Sequence, residues 1–200
     1  NLYILKNNSF ITNEHSRKIS HLLRYKNQGI LTTYKTINTD NPKLTCRIQG
    51  LEKFSPIKFI LDANLKIKLN SFILKKKFKK KTIIFHNSKN ILKINFLKKK
   101  GVKLINLNTN ENNHFNLKKI LNKIYILGVT TLLVEAGKEL TAKMISKNLF
   151  NQFYLFKGSK IINSSRKIKV FNIKKELDMK FKNKKNIDTY LDNDNLIHYY

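Results

Sequence analysis

Apolar residues at Ile19, Leu22 and Leu23, with Tyr25 or Lys26 closing the turn, recur at helical spacing between Asn13 and Tyr25. Thr12 or Asn13 can cap this helix, and Gly29 ends it. Ile30–Thr33 is a short β-prone run that leads into YKTINTDNPKLT, a polar stretch with no periodicity that reads as a long loop. Pro56–Asp62 and Thr82–Asn87 are runs of large apolar residues suited to buried strands, and the basic segment Lys75–Lys81 joins them as a loop or a polyanion patch. Ser88–Lys100 predicts a helix stopped by Gly101, Val102–Leu107 a strand, and Asn116–Leu127 a helix with Leu117, Ile120, Leu121 and Ile124 on one face. Thr131–Gly137 predicts a buried strand ending in glycine, and KELTAKMISKNL a helix with Leu140, Met144 and Ile145 inward.

The alternation of strands and helices predicts a largely parallel, three-layer α/β sheet. After Asn148 the pattern turns to four β-like segments, NQFYLFKG, KIKVFNI, NIDTYLD and LIHYY, with a hairpin-shaped turn at Asp192–Asn195. These predict an antiparallel edge at the carboxyl end. No internal repeat or linker-like stretch marks a boundary, so one domain over residues 1–200 is expected.

Composition narrows this little, since 41% hydrophobic and 10% aromatic residues are enough for a folded core. Cys46 is the single cysteine, which excludes an internal disulfide and a thiolate zinc site. The longest nearly uncharged apolar run, Ile124–Val134, is too short for the ~20 residues of a membrane helix.

Charge does change the picture. Lys and Arg total 41 against 12 Asp and Glu, a formal charge of +29 that raises a nucleic-acid partner. The lysines are spread over every segment rather than gathered in a stripe, as codon bias in an AT-rich genome would also produce, so a nucleic-acid-binding module is the weaker reading. Only four of the basic residues are arginine: Arg17, Arg24, Arg47 and Arg166. Arg24 at the end of a helix and Arg47 after the long loop suit bidentate recognition of phosphate or carboxylate, or else a surface ion pair. The junction VEAGKEL, Val134–Leu140, brings an acid, a glycine and the free amides of a helix start together outside a strand's carboxyl end. Such a start can hold a phosphate, or the glycine can serve sterics alone. The histidines at 15, 21, 86, 114 and 198 show no metal-ligand spacing, and no serine occupies a nucleophile elbow.

The block SFITNEHSRKISHLLRYKNQGILTTYKTINTDNPKLTCR, followed later by LLVEAGKEL, resembles the reductase domain of the bifunctional deaminase-reductase of bacterial riboflavin biosynthesis. The resemblance spans nearly the whole chain. It implies a dihydrofolate-reductase-like fold and NADPH-dependent reduction of 5-amino-6-(5-phosphoribosylamino)uracil to the ribitylamino compound. It also implies a phosphoribosyl substrate, a cytoplasmic enzyme, a homodimer, and no metal or catalytic nucleophile, since the cofactor carries the hydride.

By motif position, Arg24, Leu44 and Arg47 would hold substrate, the arginines on its phosphate, with Glu135 accepting hydrogen bonds from sugar or base and Asn8 standing where a serine is usual. Phe10, Thr36, Asp40 and Ala63 would contact NADPH, and Gly137, Lys138, Glu139, Leu140, Thr141, Ala142 and Lys143 would wrap its phosphates. Lys138 and Glu139 replace the family's usual Pro-Thr, Asn41 its second aspartate and Ala63 a serine. The family's Lys-x-Ala-x-Ser-x-Asp-Gly strand and its His-x-Glu…Cys-x-x-Cys deaminase half do not occur here. The chain is therefore expected to be part of a longer bifunctional protein, active as a reductase or, alternatively, an inactive truncated remnant.

Overall fold

Three runs are largely apolar without alternating, GILTT, IKFIL and TIIFH, and such runs suit strands covered on both faces. They form β1 (Gly29–Thr33), β2 (Ile57–Leu61) and β3 (Thr82–His86), the middle of an all-parallel sheet. The computed structural model describes residues 13–75, 81–157, 173–187 and 194–200. With β4 (Lys103–Asn106) and β5 (Leu132–Val134) the strand order is β4-β3-β2-β1-β5. The edge strands are the less buried, as edges must be.

The helices are α1 (Glu14–Lys26), α2 (Tyr34–Asp40), α3 (Ile91–Lys99), α4 (Leu117–Ile126), α5 (Lys138–Ser146) and α6 (Ile173–Lys180). The chain divides into two units, His21–Gly137 and the described residues of Asn1–Ser20 with Lys138–Tyr200. In the first unit, Ile30, Ile60 and Ile84 lie in one buried cluster with Ile37 of α2, Leu97 of α3, and Leu44, Leu65, Ile67 and Ile73 from the connecting segments. Phe59 and Phe85, at alternate positions and thus on the opposite sheet face, stack with ring centroids 6.1 Å apart. Lys58 is buried among these strands, and burial, then the nearby Lys81 charge, lowers its pKa to about 8.

Two expectations change here. Gly29 does not stop α1 but opens β1, where a Cβ would meet Val129 Cγ1 at 2.8 Å and Leu132 Cδ1 and Phe59 Cε2 at 3.0 Å. Its smallness is demanded by sheet packing. The expected long loop contains α2, whose start is capped by the Thr33 hydroxyl accepting from the Thr36 amide and whose end is closed by Asn41 in the left-handed region. Only Ile37 of this helix is buried, so it carries no periodicity to read.

In the second unit, β6 (Phe153–Lys157), β7 (Lys184–Asn186) and β8 (Asn195–Tyr199) form an antiparallel sheet in the order β6-β8-β7. Among the described residues the antiparallel pairing at the carboxyl end is thus a small sheet of its own, not an edge of the parallel five-stranded one. Ile145 of α5, Leu177 of α6 and Tyr199 form its core, flanked by Phe150, Phe153, Leu155 and Phe181. Asp194 precedes β8, and its Oδ2 accepts from the Asn13 amide at 2.8 Å and from the Ser16 hydroxyl at 2.7 Å. Asn13 caps α1, its Oδ1 accepting from the Ser16 amide at 2.9 Å.

The expected strand KIKVFNI lies outside the described residues except for Ile173, which starts α6 and not a strand. Asn186 ends β7, most of NIDTYLD lies outside the described residues, and of the expected hairpin turn Asp192 and Asn193 do as well. Most of Lys75–Lys81 is likewise outside them.

Candidate active site

β1 connects to β2 on one side, and the chain later returns to add β5 on the other, so the order of the sheet reverses between β1 and β5. In open parallel sheets the crevice beyond the carboxyl ends of such strands is where ligands bind. Glu135 stands at this end of β5, its amide extending the ladder to the Leu31 carbonyl at 3.0 Å. Arg24, in the last turn of α1, reaches it with Nε on Oε1 and Nη2 on Oε2, both at 2.8 Å. This is a fork-to-fork pair, with the arginine side chain 5% and the glutamate 27% exposed. Burial alone would lower the arginine's pKa, but the Glu135 charge and hydrogen bonds outweigh it and keep the guanidinium charged.

Arg24 also donates from Nη1 to the Thr45 carbonyl at 3.2 Å, tying α1 to the segment after α2. That segment is fixed at several points. Asn41 Oδ1 accepts from the Phe72 amide at 2.8 Å, and the Cys46 amide donates to the Ser55 hydroxyl at 3.1 Å. Leu44 has a φ of 50° and a side chain buried in the sheet's main cluster. A left-handed leucine costs roughly 1–2 kcal/mol, a strain that persists because its neighbours hold it.

The same Thr45 carbonyl lies 3.0 Å from His21 Nδ1, and Arg47 Nε donates to His21 Nε2 at 3.1 Å. Together these require one tautomer, a neutral ring with its proton on Nδ1. Burial, then the Arg24 and Arg47 charges, lower the His21 pKa to about 4, so the ring is neutral near pH 7. His21 was not singled out by sequence, and its one signal is its place three residues before Arg24 on the same helical face.

Arg24, Leu44, Arg47 and Glu135 thus belong to one unit and, through Thr45 and His21, to one network. Thr36 lies in the first turn of α2, its hydroxyl 3.3 Å from that of Thr33, and Asp40 ends that helix, half-buried, with burial raising its pKa. Asp62 is wholly buried and accepts from the Lys66 and Ile67 amides at 2.7 and 2.8 Å, a structural turn. The Ala63 carbonyl after it accepts from the Asn87 amide at 2.8 Å, joining the ends of β2 and β3. Gly137 ends the first unit, and α5, with Lys138, Glu139, Leu140, Thr141, Ala142 and Lys143, begins the second.

Leu140, like Met144 and Ile145, is buried. A Cβ on Gly137 would meet nothing within 4 Å among the described residues, and its φ lies outside the left-handed region. Neither a left-handed φ nor packing among the described residues requires glycine there. Asn8 and Phe10 lie outside the described residues. Among those residues no three His, Cys, Asp or Glu side chains gather as metal ligands would, and no helix is long and apolar enough to cross a membrane.

The fold has solved counterparts. Acinetobacter baumannii RibD, form 2, superposes with a TM-score of 0.73 over 99% of this chain and 53% of that one at 16% identity. At that identity the likeness shows the dihydrofolate-reductase-like fold alone. Among curated proteins, riboflavin biosynthesis protein RibD of Aquifex aeolicus is 32% identical over 177 residues, which are 88% of this chain and 48% of the relative. The chain spans about half the length of that relative. A protein of Buchnera aphidicola, named 5-amino-6-(5-phosphoribosylamino)uracil reductase, is 26% identical over 193 residues and is covered to 88%. Residues 5–190 match the RibD C-terminal domain, and with that match over most of its length the chain belongs to the RibD C-terminal domain family.

Proposed function

We propose that this chain reduces 5-amino-6-(5-phosphoribosylamino)uracil to its ribitylamino product with NADPH. The observation that carries the reading is the convergence of Arg24, Glu135, the Thr45 carbonyl and Arg47 beyond the carboxyl ends of β1 and β5. In this reading Arg47, exposed and held by His21, receives the substrate phosphate. Glu135 accepts from ribose or base. Each carboxylate oxygen retains acceptor capacity beyond its bond to Arg24. Arg24 orients Glu135 and the Thr45 segment, a structural share of substrate binding rather than a direct grip on phosphate.

NADPH, when bound, supplies the hydride that reduces the opened ribose. Thr36, Asp40, Ala63 and the stretch Gly137–Lys143 would hold it, with Asn8 and Phe10 contributing on the substrate and cofactor sides. The protein's part is placement and charge complementarity, so no nucleophile is needed. The test is NADPH oxidation by the purified chain with the phosphoribosylaminouracil. Turnover is expected, and Arg47→Ala should raise KM by about tenfold or more through loss of a charge-assisted contact. A chain that melts cooperatively, is not stabilised by NADPH and shows no turnover would overturn the reading.

A further inference from the structure

Arg47 is exposed on a loop, where a long side chain samples many rotamers, yet a phosphate site works only if the guanidinium plane is set beforehand. The structure supplies one means of setting it. Nε–H of Arg47 points to His21 Nε2, and that nitrogen can accept only if the ring proton is on Nδ1. The Thr45 carbonyl, two residues before Arg47, holds the proton there. Arg24 Nη1 lies 3.4 Å from Nδ1, the separation of two donors that share that one carbonyl.

We propose that His21 is a positioning residue for anion recognition: it accepts the Arg47 Nε–H on Nε2, so that a phosphate would be gripped through the two Nη groups. This rests on the reading of Arg47 as the phosphate residue. The groups around the ring are Arg24 on α1, Arg47 on the loop and Glu135 at the end of β5. Two of the three are cations, which disfavours an imidazolium that would have no lone pair left for Arg47.

Two substitutions divide the ring's functions. Gln can offer an oxygen near the position of Nε2 and keep the acceptor, while Thr45 keeps its Arg24 donor. Asn can reproduce the Nδ1 donor but does not reach Arg47. His21→Asn should raise KM for the phosphorylated substrate about tenfold, more than it lowers kcat, as expected for one charge-assisted hydrogen bond, while His21→Gln stays within about twofold. Equal losses in both variants would make His21 a scaffold residue and overturn the proposal. In the wild-type chain, ring-nitrogen NMR should show Nδ1 protonated and Nε2 bare, and the reverse tautomer would overturn it even if neither variant folded. Inorganic phosphate, titrated while the Arg47 Nε–H signal is followed, separates the two readings. No shift in the wild type sinks the anion role of Arg47 and the proposal built on it. A shift that persists unweakened in His21→Asn sinks the proposal alone.

Discussion

The loop from Asn41 to Arg47 and the turn from Glu135 into α5 differ in how tightly backbone conformation and packing constrain them. In the loop the protein has bound the polar groups itself: Asn41 accepts from Phe72, the Cys46 amide meets Ser55, and the Thr45 carbonyl receives Arg24 and His21. Leu44 is even held in a left-handed conformation that its side chain resists. At Gly137, by contrast, a Cβ would meet nothing within 4 Å among the described residues, and φ lies outside the left-handed region. Charge has to be aimed and so is anchored by tertiary contacts, whereas at Gly137 neither a left-handed φ nor a close neighbour fixes the residue type.

The largest blow to the anchored side is Glu135→Ala, which strands the buried Arg24 guanidinium without its counter-charge. A loss of about 3 kcal/mol in unfolding free energy is expected by denaturant titration. A loss below about 1 kcal/mol would mean that water compensates the arginine and that the network is not rigid.

Two glycines sharpen the contrast next. Gly29→Ala places a methyl 2.8 Å from Val129 and should cost about 1–3 kcal/mol, with no specific effect on cofactor affinity. Gly137→Ala should change stability by less than about 0.5 kcal/mol while weakening NADPH binding, read from the thermal shift at fixed cofactor. The opposite assignment of effects would remove Gly137 from the proposed cofactor contacts.

A further test of the anchored side is one of pH. His21 has a pKa of about 4 in the folded chain against 6.5 when unperturbed, so between those values the unfolded chain binds the proton and the native chain does not. The stability associated with the neutral ring is complete above pH 6.5 and is lost as pH falls toward 4. Thermal melts over that range should therefore fall more steeply for the wild type than for His21→Gln, which has no group to titrate.

How far these features could be read from the chain depended on whether their cause was local. β1, β2 and β3 are largely apolar runs, and α4 buries Leu117, Ile120 and Ile124 at helical spacing, so their patterns survive without the fold. α2 was hidden because one buried residue makes no stripe, and its caps, Thr33 and Asn41, lie within a stretch that is polar for other reasons. α6 was hidden likewise, with Leu177 as its buried residue. Within the site, the scarcity of arginine marked Arg24 and Arg47, but not their partners. Glu135 is 111 residues from Arg24, and His21 is 26 from Arg47. No spacing rule connects such pairs, which meet only once the parallel sheet brings the ends of β1 and β5 together.

Lys58 has a consequence of a different kind. Sealed among the central strands, with burial and the Lys81 charge depressing its pKa to about 8, it carries an amine that deprotonates in mild alkali yet is shielded from reagents in solution. An acylating agent would modify the surface lysines without any opening of the fold, but Lys58 only when the sheet opens. The time course of its labelling, followed by mass spectrometry, would be a clock for the breathing of β2, placed in the molecule by its own sequence.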